Sequence, residues 1–98
     1  MLAVGKLQPS RSPIFTAPQG GTTVTSIKLV NRDAGTTSCT VNLYVNPKGT
    51  IAHVPIIPRN TTLHNGRSLD ETTVRRLREG DQLEGDVSAG SDVSFEVN

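Results

Sequence analysis

The chain has 98 residues, of which 34% are hydrophobic and 3% aromatic, and a formal net charge of +1. A chain of this length builds one domain with a small core, and its hydrophobic content lies above the disordered range. The near-neutral charge and the three aromatic residues, Phe15, Tyr44 and Phe95, argue against a nucleic-acid binder, which needs a basic surface and rings for stacking.

Thr, Ser, Asn, Val and Gly dominate while Ala is scarce, so an all-β fold is expected. Residues 1–21, "MLAVGKLQPSRSPIFTAPQGG", hold three prolines and three glycines and read as an irregular Pro/Gly-rich N-terminal arm, with at most a short strand through Leu2, Val4 and Leu7. Such an arm is expected to be poorly ordered alone and ordered in an assembly. Residues 22–98 read as the β-sandwich domain. "TTVTSIKLVN" puts Thr25, Ile27 and Leu29 on one face, "RDAGTTS" is a turn, and "CTVNLYV" alternates Cys39, Val41, Leu43 and Val45 inward with Thr40, Asn42 and Tyr44 outward. A turn at Asn46-Pro47-Lys48-Gly49 leads to "TIAHVPII", where Pro55 implies an edge or a bulge.

The stretch "SLDETTVRRLREGDQLEGD" admits two readings. Ser68 and Glu71 fit a helix capping box, with Leu69, Thr73 and Leu77 every four residues. Against that, Thr72, Thr73 and Val74 are consecutive β-branched residues, which favours a strand over 72–78, a turn at Glu79-Gly80-Asp81 and a strand over 82–88 with Leu83 and Val87 on one face. Arg75, Arg76 and Arg78 are outnumbered here by acids. A final hairpin across "AGSD" pairs 82–88 with 92–97, Val93, Phe95 and Val97 facing in. Seven or so short strands, spaced by about ten residues, describe a small β-sandwich or jelly-roll.

Charge is uneven along the chain. Residues 1–66 carry Lys6, Arg11, Lys28, Arg32, Lys48 and Arg59 against Asp33, and residues 67–98 carry four arginines against eight acids. The halves either neutralise each other in the fold or form complementary patches between subunits. The single Cys39 excludes an intrachain disulfide, and no stretch approaches membrane-spanning length.

No catalytic or metal constellation stands out, so no enzyme activity, cofactor or metal is expected. His53 and His64 lie eleven apart without a Cys or carboxylate at ligand spacing, the serines lack a strand-turn-helix elbow, and Asp81, Glu84 and Asp86 lack the closing Glu of a calcium loop. Sugar stacking would have Tyr44 alone to use.

The segments "TSIKLVNRDAGTTSCTVNLYVNPKGT", "IIPRNTTLHNGRS" and "VRRLREGDQLEGDVSAGSDVSFEVN" together resemble the small all-β virion proteins encoded among the head and tail genes of tailed bacteriophages. The elements that carry the resemblance fall on Leu29 to Asn31, Val41 to Val45, Pro58 to Gly66, Leu77 to Leu83 and Val93 to Val97, within residues 22–98. It implies a non-enzymatic structural protein of the virion, made in the host cytoplasm, that binds capsid or tail subunits as a decoration, cement or adaptor protein. A homo-oligomer follows, a trimer first, with neither nucleic acid nor membrane as partner. The alternative is a receptor-facing or carbohydrate-binding module of a tail fibre. Pro13, Phe15, Arg75, Arg76 and Arg78 are the expected subunit-interface residues.

Overall fold

The structure is a computed structural model that describes residues 1–33 and 38–98. It is all-β, without helix among the described residues, so the capping-box reading of 68–77 is set aside. The strands are β1 (Ala3–Lys6), β2 (Ser12–Thr16), β3 (Thr22–Val24), β4 (Ile27–Asn31), β5 (Cys39–Asn46), β6 (Val54–Pro55), β7 (Thr61–Leu63), β8 (Ser68–Glu71), β9 (Arg75–Leu77), β10 (Gln82–Val87) and β11 (Val93–Val97). Residues 34–37 of the expected "RDAGTTS" turn lie outside the described residues.

One sheet runs β1-β11-β4-β8; a second runs β2-β10-β5-β6, with β7 also on β5; β3 and β9 form a separate ribbon. One set of the antiparallel pairings is nested, and the β5–β10 and β4–β11 ladders cross it. β1 pairs with β11, β2 with β10, β3 with β9, β4 with β8, and β5 with β6 and β7, so the chain doubles back on itself as one long hairpin whose rungs are shared between sheets. Several antiparallel sheets around one core are compatible with a β-sandwich.

Period-two alternation fills that core. Ile27 and Leu29 of β4 and Val93, Phe95 and Val97 of β11 join Val41 and Leu43 of β5 and Leu83 and Val87 of β10 in one buried cluster. Removing each such aliphatic side chain from water contributes about 1.5–3 kcal/mol. Thr25 departs from its expected place. It is exposed, Val24 is buried instead, and the Thr25 and Ser26 amides both donate to the Asn98 carbonyl (2.6 and 3.2 Å), which interrupts the alternation between β3 and β4.

Residues 1–21 are not a separate irregular arm in the structure: they supply one strand to each main sheet. Leu7, Ile14 and Ala17 are buried in the shared core, and that burial ties the segment down. The Leu7 amide donates to Val93 (2.9 Å) while the Gln8 carbonyl accepts from Val87 (3.1 Å), so the chain steps from one sheet to the other between adjacent residues. Pro13 sits on an edge strand beside a register shift opposite Leu83 and Glu84, where its missing N–H breaks no central ladder. Gly5 also has a packing reason. The Phe95 ring lies over it, and a Cβ there would stand 2.9 Å from the ring.

The last two strands do not form a hairpin. β10 lies between β2 and β5, and β11 lies between β1 and β4, so "AGSD" carries the chain across the sandwich. Both arrangements bury the same alternate residues, so periodicity cannot separate them. Of the expected strand over 72–78 only Arg75–Leu77 is strand, as β9; Thr72, Thr73 and Val74 are exposed and join it to β8, Ser68–Glu71, which lies before the expected bounds.

The turn at Glu79-Gly80-Asp81 is present, with Gly80 at φ 85°. Asp81 organises it: one carboxylate oxygen accepts from the Lys48 amide and the other from the Arg78 amide, each at 2.9 Å. These bonds, the Lys48 one first, hold the Asp81 carboxyl below its ordinary value. A depressed carboxyl contributes stability that is present above the unfolded-state value of about 3.9 and is lost as pH falls through the lower folded-state value. Melting curves of the wild type and Asp81→Asn should therefore differ at neutral pH and converge in acid. A constant difference down to low pH would show that these charge-assisted bonds do not form.

Candidate functional site

Charged groups are seldom fully buried, and on the outward face of a two-sided sheet they normally meet water. The second sheet departs from this. Asn42 and Tyr44 of β5 and Glu84 of β10 point away from the core, as the alternation predicts, yet are 8%, 7% and 6% exposed. Their register pairs them across the strands, Glu84 opposite Tyr44 and Asp86 opposite Asn42. The cover comes from His53, between β5 and β6, from Asn60, between β6 and β7, and from Arg11, just before β2.

The imidazole Nδ1 of His53 lies 2.7 Å from Glu84 Oε1. Which of the two atoms donates depends on the imidazole tautomer; Nδ1 donates wherever the carboxylate is ionised, because an ionised carboxylate only accepts. Arg11 Nε approaches the same oxygen at 3.7 Å, close enough for charge pairing and too long for a hydrogen bond. Its guanidinium stands 5.8 Å from the Tyr44 ring centroid, within cation–π range. Burial, then the nearby Asp86 charge, pushes the Tyr44 phenol above its usual value, while Arg59 and Arg11 oppose the shift.

Beside this group, Asn42 joins three elements. Its amide nitrogen donates to Asp86 Oδ1 (2.9 Å) and Asn60 Oδ1 (3.3 Å), and its oxygen accepts from the Asn60 backbone amide (2.9 Å). That last bond holds Asn60 at φ 55°, a left-handed conformation that asparagine tolerates better than most residues. Further along the same strands, the Asn46 amide donates to the Ala52 and Thr50 carbonyls (2.9 and 3.2 Å), which closes the loop after β5. A shallow depression of about 210 Å³ opens there, lined by Asn46, Pro47, Lys48, Thr50 and Gln82.

The chemistry available to this arrangement is limited. His53 and Glu84 form a base–carboxylate pair, but no nucleophile is bonded to the imidazole in the described structure. Cys39 is buried in the core, which raises its thiol pKa, and its sulfur contacts the Asn31 amide and the Leu63 carbonyl at 3.6 Å. Among the described residues no three His, Cys, Asp or Glu side chains stand together as a metal site. His53, Arg11 and Asn42 tie the surrounding loops to the sheet.

Sequence spacing could not find this cluster, because His53 and Glu84 are 31 residues apart and Asn42 and Asp86 are 44 apart. The cue available was the single apolar-face alternation on β5 and β10, which put Tyr44 and Glu84 on the outward side without showing what covers them.

The five expected interface residues fall on β2 and in the region of the β3–β9 ribbon. Pro13 is exposed on β2, whereas Phe15 is partly buried against the core. Arg75, Arg76 and Arg78 belong to the β3–β9 ribbon region. Arg75 is half-buried, bonded to Glu71 (3.3 Å) and to the Thr73 carbonyl (3.2 Å), and it shares a face with buried Leu77. Hydrogen bonds from Thr73 and Arg75 hold the Glu71 carboxyl below its ordinary range, against a smaller effect of burial. Arg76 is exposed and donates to the Gly20 carbonyl (2.9 Å); Arg78 is exposed, and its charge acts on the Asp81 carboxylate without a side-chain hydrogen bond to a described residue. Beside them Val74 is 64% exposed.

No helix of the described residues is long and apolar enough to cross a membrane. No family model, no curated protein and no solved structure matches the chain.

Proposed function

We propose that the protein is a non-enzymatic structural component of a virion that binds neighbouring capsid or tail subunits, as a decoration, cement or adaptor protein, and associates with copies of itself. The observation that carries this reading is the nested antiparallel pairing over an aliphatic interior. It supports a finer description of the fold as a jelly-roll, an architecture used by viral capsid proteins and also by lectins and cupins. Fold alone does not assign a role, so the residues have to discriminate. A cupin-type centre needs several polar ligands inside the roll, and beside the aliphatic cluster the described interior buries Asn31, which is bonded to the Leu63 carbonyl (3.0 Å). A sugar-binding face needs an accessible ring, and Tyr44 is buried beneath Arg11.

What the chain offers to partners is its loops, its sheet edges and the β3–β9 ribbon with exposed Val74, Arg76 and Arg78. The segment order described above adds the virion context. Mass spectrometry of purified particles should find the chain in stoichiometric amounts, and its absence from them would end this reading. Arg78→Glu is the sharper probe because its exposed side chain makes no hydrogen bond to a described residue and loses within the chain only its attraction to the Asp81 carboxylate. Surface changes of this kind usually alter stability by no more than about 0.5 kcal/mol. The variant should melt like the wild type and enter particles less, and wild-type attachment should weaken as salt rises. Normal incorporation of Arg78→Glu would remove this arginine from the interface.

A further inference from the structure

We infer that β1 is the self-association edge of the protein: two copies pair β1 with β1, antiparallel across a two-fold axis, and so join their four-stranded sheets into one. The inference goes beyond the virion reading and does not rest on it, since the pairing belongs to the isolated protein.

An open sheet edge is a template for another strand unless something blocks it. The main sheets end in five edge strands, with β6 and β7 side by side on β5; β7 has only three residues, and three of the other four carry such a block. β2 has Pro13 and a register shift beside it; β6 is two residues long and includes Pro55; β8 carries Asp70 and Glu71, which would meet like charges in a self-pair. β1 has neither proline nor register shift, and its ladder with β11 is regular from Ala3 to Lys6.

The register shows which backbone groups are free. Leu7 donates to Val93 (2.9 Å), so in an antiparallel ladder residues 7, 5 and 3 turn their N–H and C=O toward β11, while those of Val4 and Lys6 point outward along the edge. These outward groups have no protein partner among the described residues. The outer-face side chains match them: Leu2 is 42% and Val4 64% exposed.

A pair centred on Val4 satisfies both features. Val4 of each copy exchanges two hydrogen bonds with Val4 of the other; Lys6 falls opposite Leu2, whose amide already donates to its own Val97 carbonyl (2.6 Å) and adds no bond to the joint, while the lysine stem covers its apolar surface. Charge permits it, because β1 holds one lysine and no acid, and the two Lys6 residues stand at opposite ends of the joint. One short edge buries much less than the roughly 1,200–2,000 Å² of a stable complex, so the dimer is concentration-dependent.

Sedimentation of the full chain over a dilution series should show mass moving from one 10.4 kDa chain to two as concentration rises. Val4→Lys and Val4→Glu, at an exposed position, should each remain folded and stay single at every concentration, and an equimolar mixture should recover the two-chain mass. Hydrogen exchange on the wild type adds an independent reading, in which the Val4 and Lys6 amides slow with concentration while the β8 edge does not. A wild type that stays single throughout, a three-chain species, a Val4→Lys protein that still pairs, or edge amides indifferent to concentration would each overturn the assignment.

Discussion

Leu43→Ala should cost about 2–5 kcal/mol, in the upper part of that range. Leu43 is 1% exposed at the middle of β5, and its cross-strand neighbour is Gly85, which has no side chain to move into the space vacated. Leu7 Cδ2 and Leu43 Cδ2 stand 2.9 and 3.3 Å from where a Gly85 Cβ would be, so the two leucines together fill the volume that the glycine leaves. For a domain of this size the loss should lower the melting temperature by about 10 °C or more. A melt unchanged within error would mean that this face of β5 is not in the core. The adjacent Asn42→Ala is the informative companion. Alternation alone places Asn42 on the outer face and predicts a small effect, but its three hydrogen bonds to Asp86 and Asn60 raise the expected cost to about 1–3 kcal/mol.

The second large effect is expected at His53. Removing the imidazole leaves the Glu84 carboxylate, 7% exposed, with Arg11 at 3.7 Å as its remaining charged partner. A buried acceptor stripped of its donor typically costs about 1–3 kcal/mol, and Arg11, itself 43% exposed and too distant to donate, offsets little of it. Glu84→Gln removes the charge that needs compensation, so His53→Ala should cost less in the Glu84→Gln background than in the wild type. A coupling between the two changes of about 0.5–3 kcal/mol is the expected result of the cycle. Strict additivity would show that the 2.7 Å bond does not hold the loop in solution. Because β6 and the His53 segment form an outer edge of the second sheet, faster hydrogen exchange in His53→Ala should appear first at the Ile56 amide, which donates to Leu43 (2.8 Å).

Local composition and period two determined much of this molecule. The strand-forming residues and frequent turn signals specify an all-β chain, and alternation alone identifies the inward sets Cys39, Val41 and Leu43 on β5, Leu83 and Val87 on β10, and Val93, Phe95 and Val97 on β11. The Glu79-Gly80-Asp81 turn and the edge position of Pro55 also follow from local chemistry, because a positive φ and a missing N–H constrain the chain wherever it lies. Which strand pairs with which is different in kind. A strand buries the same alternate residues beside any neighbour, so nothing in "DQLEGDVSAGSDVSFEV" separates a hairpin from a crossing between sheets. The proline-rich start shows the same limit. Its few apolar residues looked too sparse to hold it, and only the packed fold reveals that Leu7, Ile14 and Ala17 meet a core already built by others, with Gly5 making room for Phe95. The His53–Glu84 pair depends on tertiary structure entirely. Its members are 31 residues apart, and a charge on an outward strand position is ordinary until a distant loop covers it and excludes the water that would have solvated it.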